Sequence, residues 1–371
     1  MRDLPPVTQT QVTGVCTVTF AFEIGQDIKL GDCERRLGDS ERQTVRSRRR
    51  LPLYFEYSPA PLRISQDPPS DSVVGHSVAR VEVVLYDFGA AAVTYDIPFQ
   101  GEFASLVPLS IELQQDTLLS KDARARLGQM LQLIGDAVSR PLLADLIEDY
   151  LVFQLDTVGE RLPPRWLVDD ARATTARLLR GSAEPLSLEE EVDAVRHQLA
   201  FGRGDLTVVD WNAAVLFDPE PEETEILLEF ANVQLLELRH LDGELDRSLD
   251  LAYDALSRVE KGVWRSLRPH AAALRRLGEL QVDSAVLFER VSTAVKLVGD
   301  RFLGRVYMAA AQRFHFTDWD RSITRKLGVM EGIYEKLTDR ATSRRLEVLE
   351  WIVIILIGVE VVLGLVEGGR R

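Results

Sequence analysis

The chain has 371 residues, 46% of them hydrophobic and 27% charged, with a net charge of -14. This composition excludes a disordered chain and a polytopic membrane protein, and its length allows two or three domains at roughly 100–200 residues each. So acidic a chain repels phosphate backbones, which disfavours bulk nucleic-acid binding and leaves only a local basic patch for that role.

Residues 1–15 lack the charged start and apolar run of a signal peptide, which predicts a body that stays in the cytoplasm. Residues 15–22 alternate Val15, Thr17, Thr19 and Ala21 against Cys16, Val18, Phe20 and Phe22, the period of a buried strand. A short helix follows around Asp32–Leu37. Cys16 and Cys33 form no CxxC and lie in no Cys/His cluster with metal-ligand spacing, so they read as reduced, packed thiols, and neither a metal nor a cofactor is expected. Residues 79–86 and 91–97 are two β-like runs joined by Asp87, Phe88 and Gly89, a hairpin. Arginine outnumbers lysine so heavily that genome bias, of the kind found in GC-rich bacteria, is the simplest account.

Helical period begins near Phe103, with Leu119, Leu127, Met130, Leu131 and Ile134 on one face. Residues 150–155 return to strand character. Trp166–Leu179 reads as one helix stopped by Gly181, and Ser187 with Glu190 makes a capping box that opens a helix to about Leu199. Residues 206–217 read as a strand or tight strand pair. From Glu220 onward the pattern is helical. Leu238, Leu241, Leu245, Ser248, Ala252, Ala255 and Val259 keep a seven-residue period whose small and polar members suit antiparallel packing. A last helix is expected after Thr317, which can cap it.

That helix runs on without a break into the most apolar part of the chain. Residues 346–366 would span about 31 Å at ~1.5 Å per residue, enough for the ~30 Å hydrocarbon core of a bilayer. Trp351 is placed as an interface anchor. Glu360 shares a helix face with Gly364 and Gly368, and an ionisable residue beside small residues inside such a segment predicts packing against another transmembrane helix, its own copy included.

No motif for catalysis or phosphate binding stands out. Gly299 to Gly304 has phosphate-loop glycine spacing but Arg305 where Lys is needed, and Phe201–Leu206 reads as a turn. His315, Asp318 and Asp320 suit a helix start better than a metal site. The cluster Arg42, Arg46, Arg48, Arg49 and Arg50 is a solvated loop or a contact for RNA or anionic lipid.

The stretch Arg344 and Arg345, then Leu349-Glu350-Trp351-Ile352, an apolar run and Glu360 within it, resembles the ending of the Required for Meiotic Nuclear Division (Rmd/Sif) family, a domain-of-unknown-function group of bacteria and mitochondria. Asp218-Pro219-Glu220 ahead of a long helix is similar to that family's entry into its helical part. The resemblance implies a membrane-anchored oligomer linked to translation, with no catalytic residues to carry over.

The reading is therefore α+β: a mixed α/β body with an antiparallel sheet over 1–218, an antiparallel coiled-coil stalk over 219–345, a transmembrane anchor over 346–366 and a short tail over 367–371. The expected function is a tail-anchored, self-associating scaffold in the bacterial inner membrane, its partners the bilayer, its own copies and a protein or ribonucleoprotein. The alternatives are an enzyme using Asp210 and Trp211 at a strand end, and RNA or lipid contact through Arg42–Arg50.

Overall fold

The computed structural model describes residues 10–38, 59–69, 77–158, 162–260 and 301–336, and it divides into two compact units, Met1–His240 with Phe288–Asp320, and Leu241–Leu287 with Arg321–Arg371.

The first unit holds the sheet. Its strands are β1 (Gln11–Glu23), β3 (Leu62–Gln66), β4 (Arg80–Leu85), β5 (Ala90–Glu102), β7 (Ile147–Val158), β8 (His197–Leu199), β9 (Leu206–Val209) and β10 (Ala213–Phe217), in the order β3-β4-β5-β1-β7-β10-β9-β8. Every neighbouring pair is antiparallel except β7 with β10. Two residues each from β2 (Asp27–Ile28) and β6 (Val138–Ser139) form a separate small ladder. The expected hairpin is present: Gly89 closes it at φ 113, a conformation that only glycine adopts without strain. Its carbonyl accepts from the Ile24 amide at 2.9 Å.

The sheet has two unlike faces, both buried. On one, Cys16, Val18, Phe20 and Phe22 of β1 join Val83, Val93, Tyr95 and Phe153 in the main apolar core. Covering that face are α1 (Leu30–Gly38), α2 (Leu106–Gln115), α3 (Thr117–Ile134), α4 (Trp166–Asp169) and α5 (Arg172–Arg180). The Asp116 side chain caps α3 by accepting from the Leu118 and Leu119 amides. The single helix expected over Trp166–Leu179 is instead α4 and α5, broken at Asp170 and Ala171. The break lets Trp166 and Leu167 as well as Leu178 and Leu179 reach the core, and the Thr175 hydroxyl donates to the Leu167 carbonyl across it at 2.7 Å. Gly181 ends α5 in the left-handed region, as expected.

The other face is small and polar. It presents Arg63, Glu82, Thr94, Asp96, Thr17, Thr19, Tyr150 and Glu148, which the strand registers place side by side. The first part of α7 (Glu222–Glu260) lies on it, and every residue of that helix from 224 to 234 is buried. Its Glu229 accepts from Arg63 (2.7 Å), Tyr86 (3.0 Å) and Thr94 (3.2 Å), while Arg63 also donates to Glu82 at 2.7 Å. Burial would drive the Arg63 guanidinium toward neutrality, and Glu229, Tyr86 and Glu82 more than reverse that, so it stays charged. The Asn232 amide adds a bond to the Glu148 carbonyl at 3.3 Å.

The helix expected to reach Leu199 ends earlier: α6 covers Leu188–Ala194, with Ser187 accepting from the Glu190 amide, and the chain turns into β8 at His197. The Glu190 carboxylate does not close a capping box but pairs with Arg180 at 2.9 Å. Beyond Arg301 come α8 (Arg301–Arg313) and a helix over 316–336 that starts at Phe316 rather than after Thr317. The break between them is His315, at φ 56 in the left-handed region.

In the second unit, Leu241, Leu245, Ser248 and Ala252 are buried, as their seven-residue period predicts. Asp242 meets Ser322 (2.9 Å) and Lys326 (2.8 Å), and Asp246 meets Lys326 (2.6 Å). These contacts advance together along the two helices, so these two helices run in the same sense; residues 261–300 of the expected antiparallel stalk lie outside the described residues. Among the described residues no helix is long and apolar enough to cross a membrane. The expected anchor over 346–366, with Trp351, Glu360, Gly364 and Gly368, lies outside them, as does the arginine cluster Arg42, Arg46, Arg48, Arg49 and Arg50.

A Cβ on residue 89 would sit 2.0 Å from the Gly25 carbonyl oxygen, on a backbone already at positive φ. Gly89→Ala is therefore expected to cost about 3 kcal/mol or more in urea unfolding, strain and clash together. A loss below about 1 kcal/mol would show that the hairpin relaxes freely.

Candidate functional site

The turn between β9 and β10 carries the densest charge in the first unit. Asp210 is fully buried there, its amide donating to the Ala213 carbonyl and its own carbonyl accepting from the Tyr150 hydroxyl at 2.8 Å. Arg180 of α5 donates through Nε to Asp210 Oδ2 at 2.5 Å, and Arg313 at the end of α8 donates through Nε to Oδ1 at 2.7 Å. Asp193 of α6 accepts from Arg180 Nη2 at 2.8 Å and Arg313 Nη1 at 3.0 Å, and pairs with Arg196 at 3.0 Å. The first effect on the Asp193 carboxyl is burial, which raises its pKa; the bonds from Arg313 and the charges around it outweigh that and hold it below the ordinary value. The Arg180 guanidinium also lies over the Trp211 ring, 5.5 Å from its centroid.

This arrangement decides what Asp210 can do. A general base needs a lone pair open to substrate and a pKa near the working pH. Asp210 has no exposed surface, and both its oxygens are held by arginines. It ties α5 and α8 to the end of the sheet, and α6 joins them through Asp193. Trp211 is half exposed and sits outside this clamp.

Beside the clamp, the edge strand β8 and helix α8 border an open groove of about 380 Å³. His197 looks into it. Burial, and then the charges of Arg313 and Arg196, lower the His197 pKa, with Asp193 and Asp210 pulling the other way, so its imidazole is neutral at pH 7. Nothing in the sequence pattern marked this groove, because β8 had read as the end of a helix.

A second set of buried groups sits where α7 crosses the end of β1 and β7. Glu237 is fully buried and faces Glu23, and burial raises the Glu237 pKa. Glu148 is pushed up to about 7 by burial and by Asp149, against the pull of its ion-pair partner Arg239. His315 and Asp318 pair at 3.3 Å at the helix start, and among the described residues no group of His, Cys, Asp and Glu could hold a metal ion. Cys16 and Cys33 are buried and unpaired with each other, their thiols pushed up by burial, Cys33 to about 11.

A family model described as "Uncharacterized protein MJ0711, N-terminal domain" matches residues 13–224, more than half of the chain. The chain belongs to the MJ0711 N-terminal domain family. The matched range holds the eight-stranded sheet apart from the first two residues of β1, and the Asp210 turn, and it ends as α7 begins. Among curated proteins, the chain is similar to "Uncharacterized protein MJ0711" of Methanocaldococcus jannaschii, 21% identical over 231 residues, covering 59% of this chain and 66% of that protein. The chain thus spans just under two thirds of that relative's length. No solved structure matches.

Membership in the MJ0711 family overturns the Rmd/Sif resemblance read from the C-terminal stretch, and with it the link to translation that rested on that resemblance. The match lies over the sheet, whereas the resemblance rested on Arg344, Arg345, Leu349 to Ile352 and Glu360. Basic residues, then a tryptophan, then an apolar run are what membrane-interface physics asks of any such segment, so they do not distinguish one family from another. The archaeal relative likewise gives no support to a bacterial source.

The buried acids generate a pH prediction. A carboxyl whose folded pKa lies above its unfolded value of about 4.5 binds more protons folded than unfolded, so its contribution to stability is full below about 4.5 and is lost as pH rises toward 7. His197, with its lowered pKa, acts in the opposite sense, so the comparison must be between variants. Glu237→Gln is expected to gain stability relative to the parent as pH rises from 5 to 8, by thermal unfolding at each pH. A difference that stays constant across that range would show that the Glu23–Glu237 pair does not titrate on unfolding.

Proposed function

We propose that this protein is a membrane-attached, self-associating scaffold, with its α/β body as the recognition part and no catalytic role. The observation that carries this is the near-continuous apolar run within 346–366, which is hard to bury in any other way. Trp351 at its start supports an interface anchor, and Glu360 with Gly364 and Gly368 supports a packing face for a second membrane helix. The seven-residue period in the second half of α7 and its ion pairs with the 316–336 helix support a coiled-coil stalk between body and anchor. The burial of Asp210 between two arginines weakens the enzyme reading. Contact of Arg42, Arg46, Arg48, Arg49 and Arg50 with anionic headgroups would fit a body held near a bilayer.

Alkaline carbonate washing of native membranes tests the anchor. The full chain is expected to stay with the membrane and a 346–366 deletion to be released. Release of both would remove the membrane reading. In mild detergent, Glu360→Leu is expected to lower the oligomer size of the full chain; an unchanged size would remove the packing role of that face.

A further inference from the structure

The groove beside β8 has a composition that the rest of this acidic chain does not lead one to expect. Arg301, Arg305, Met308 and Gln312 follow one another at intervals of four, three and four, so a single face of α8 forms one wall. The other wall is β8 with Arg196 and His197. Three arginines and a histidine line it, with no aspartate or glutamate. The nearby carboxylates are already engaged: Glu190, Asp193 and Asp210 meet Arg180, Arg196 and Arg313, three acids against three bases. Arg301 and Arg305 are therefore surplus positive charge. Both are exposed, and neither has an acidic partner among the described residues. Met308 is 52% exposed, and with Ala309 and Leu199 it gives the groove an apolar side.

We propose that this groove binds a small organic anion bearing a phosphate-class dianion, with Arg301 and Arg305 on the phosphate and the Met308 side on the organic part. Guanidinium forks match phosphate oxygens in pairs, and an uncompensated cluster of them gives an anion a net attraction that a neutral network does not. The volume, about 380 Å³, suits a small ligand and exceeds what a bare phosphate fills. His197 reports occupancy. Its neighbours are the cations Arg196, Arg313, Arg301 and Arg305 and the acids Asp193 and Asp210, so a seated dianion adds negative charge where burial, and then the cations, now disfavour the imidazolium.

The test uses the full-length chain in detergent micelles with ring-labelled histidine, titrated with inorganic phosphate, with phenyl phosphate and with sodium chloride at matched ionic strength. The expected result is a saturable response at His197 with its pKa raised by roughly half a unit or more, caused by phosphate and not by chloride. Phenyl phosphate should bind about fivefold more tightly than inorganic phosphate, through the apolar wall. The double variant R301E/R305E, altered only at exposed positions, should melt as the parent does and bind phenyl phosphate at least about tenfold more weakly. Equal responses to phosphate and chloride, or an unchanged affinity in the double variant, would overturn the proposal. So would a response at His197 seen only when anionic lipid is added to the micelles, which would assign this surface to the bilayer.

Discussion

Arg63 carries a full charge into the interior, and the first unit is arranged around what that charge requires. Its side chain is only 5% exposed, and the carboxylates that meet it come from two places far apart in sequence, Glu82 on the neighbouring strand and Glu229 on α7. Desolvating these ions costs several kcal/mol for each, which only close, well-bonded geometry returns. Tyr86 and Thr94 supply further donors to Glu229. The position and rotation of α7 on the sheet are thus set by directional bonds, whereas apolar contact alone would let the helix slide.

The same polarity runs the length of that face. Thr17 donates to Asp96 at 3.1 Å, and Asp96 pairs with Arg80 at 2.5 Å. Farther along the same interface, Glu237 of α7 and Glu148 of β7 are buried with less compensation, which is why their protons are held more tightly than usual. Near its start the helix is clamped by an ion network, and two turns on it rests on carboxyls whose pKa is pushed up to about 7. At the opposite end of the sheet, Asp210 draws Arg180 and Arg313 into a second clamp, and the bases left over beyond it line the groove of β8 and α8. Charge decides both the packing of this unit and the cationic groove beside β8.

Local pattern made the strands legible. The alternation over residues 15–22 is β1, the Asp87–Gly89 turn is a hairpin, and the 206–217 pair is β9 and β10. The Thr17 and Thr19 side of that alternation was visible too, but its meaning was not. A polar strand face ordinarily points to water, and only the distant Glu229 and Asn232 of α7 turn it into an interface. The groove was hidden for a related reason. The Ser187 cap correctly announced a helix, but its end depends on Asp193 being drawn to Arg313, 120 residues away, and so β8 was missed. Asp210 stood out at a strand end, yet its burial between two arginines is a long-range fact. The C-terminal residues misled on the family because basic residues, a tryptophan and an apolar run in that order are a pattern common to many chains.

A double-mutant cycle on Arg63 and Glu229, followed by urea unfolding, tests most directly whether the ion network holds α7 to the sheet. Arg63→Met and Glu229→Leu should each cost about 3–5 kcal/mol, since each strands a buried charge. The pair together should cost less than their sum by about 2 kcal/mol or more. Additive losses, or single losses below about 1 kcal/mol, would contradict the account and return the docking of α7 to apolar contact alone.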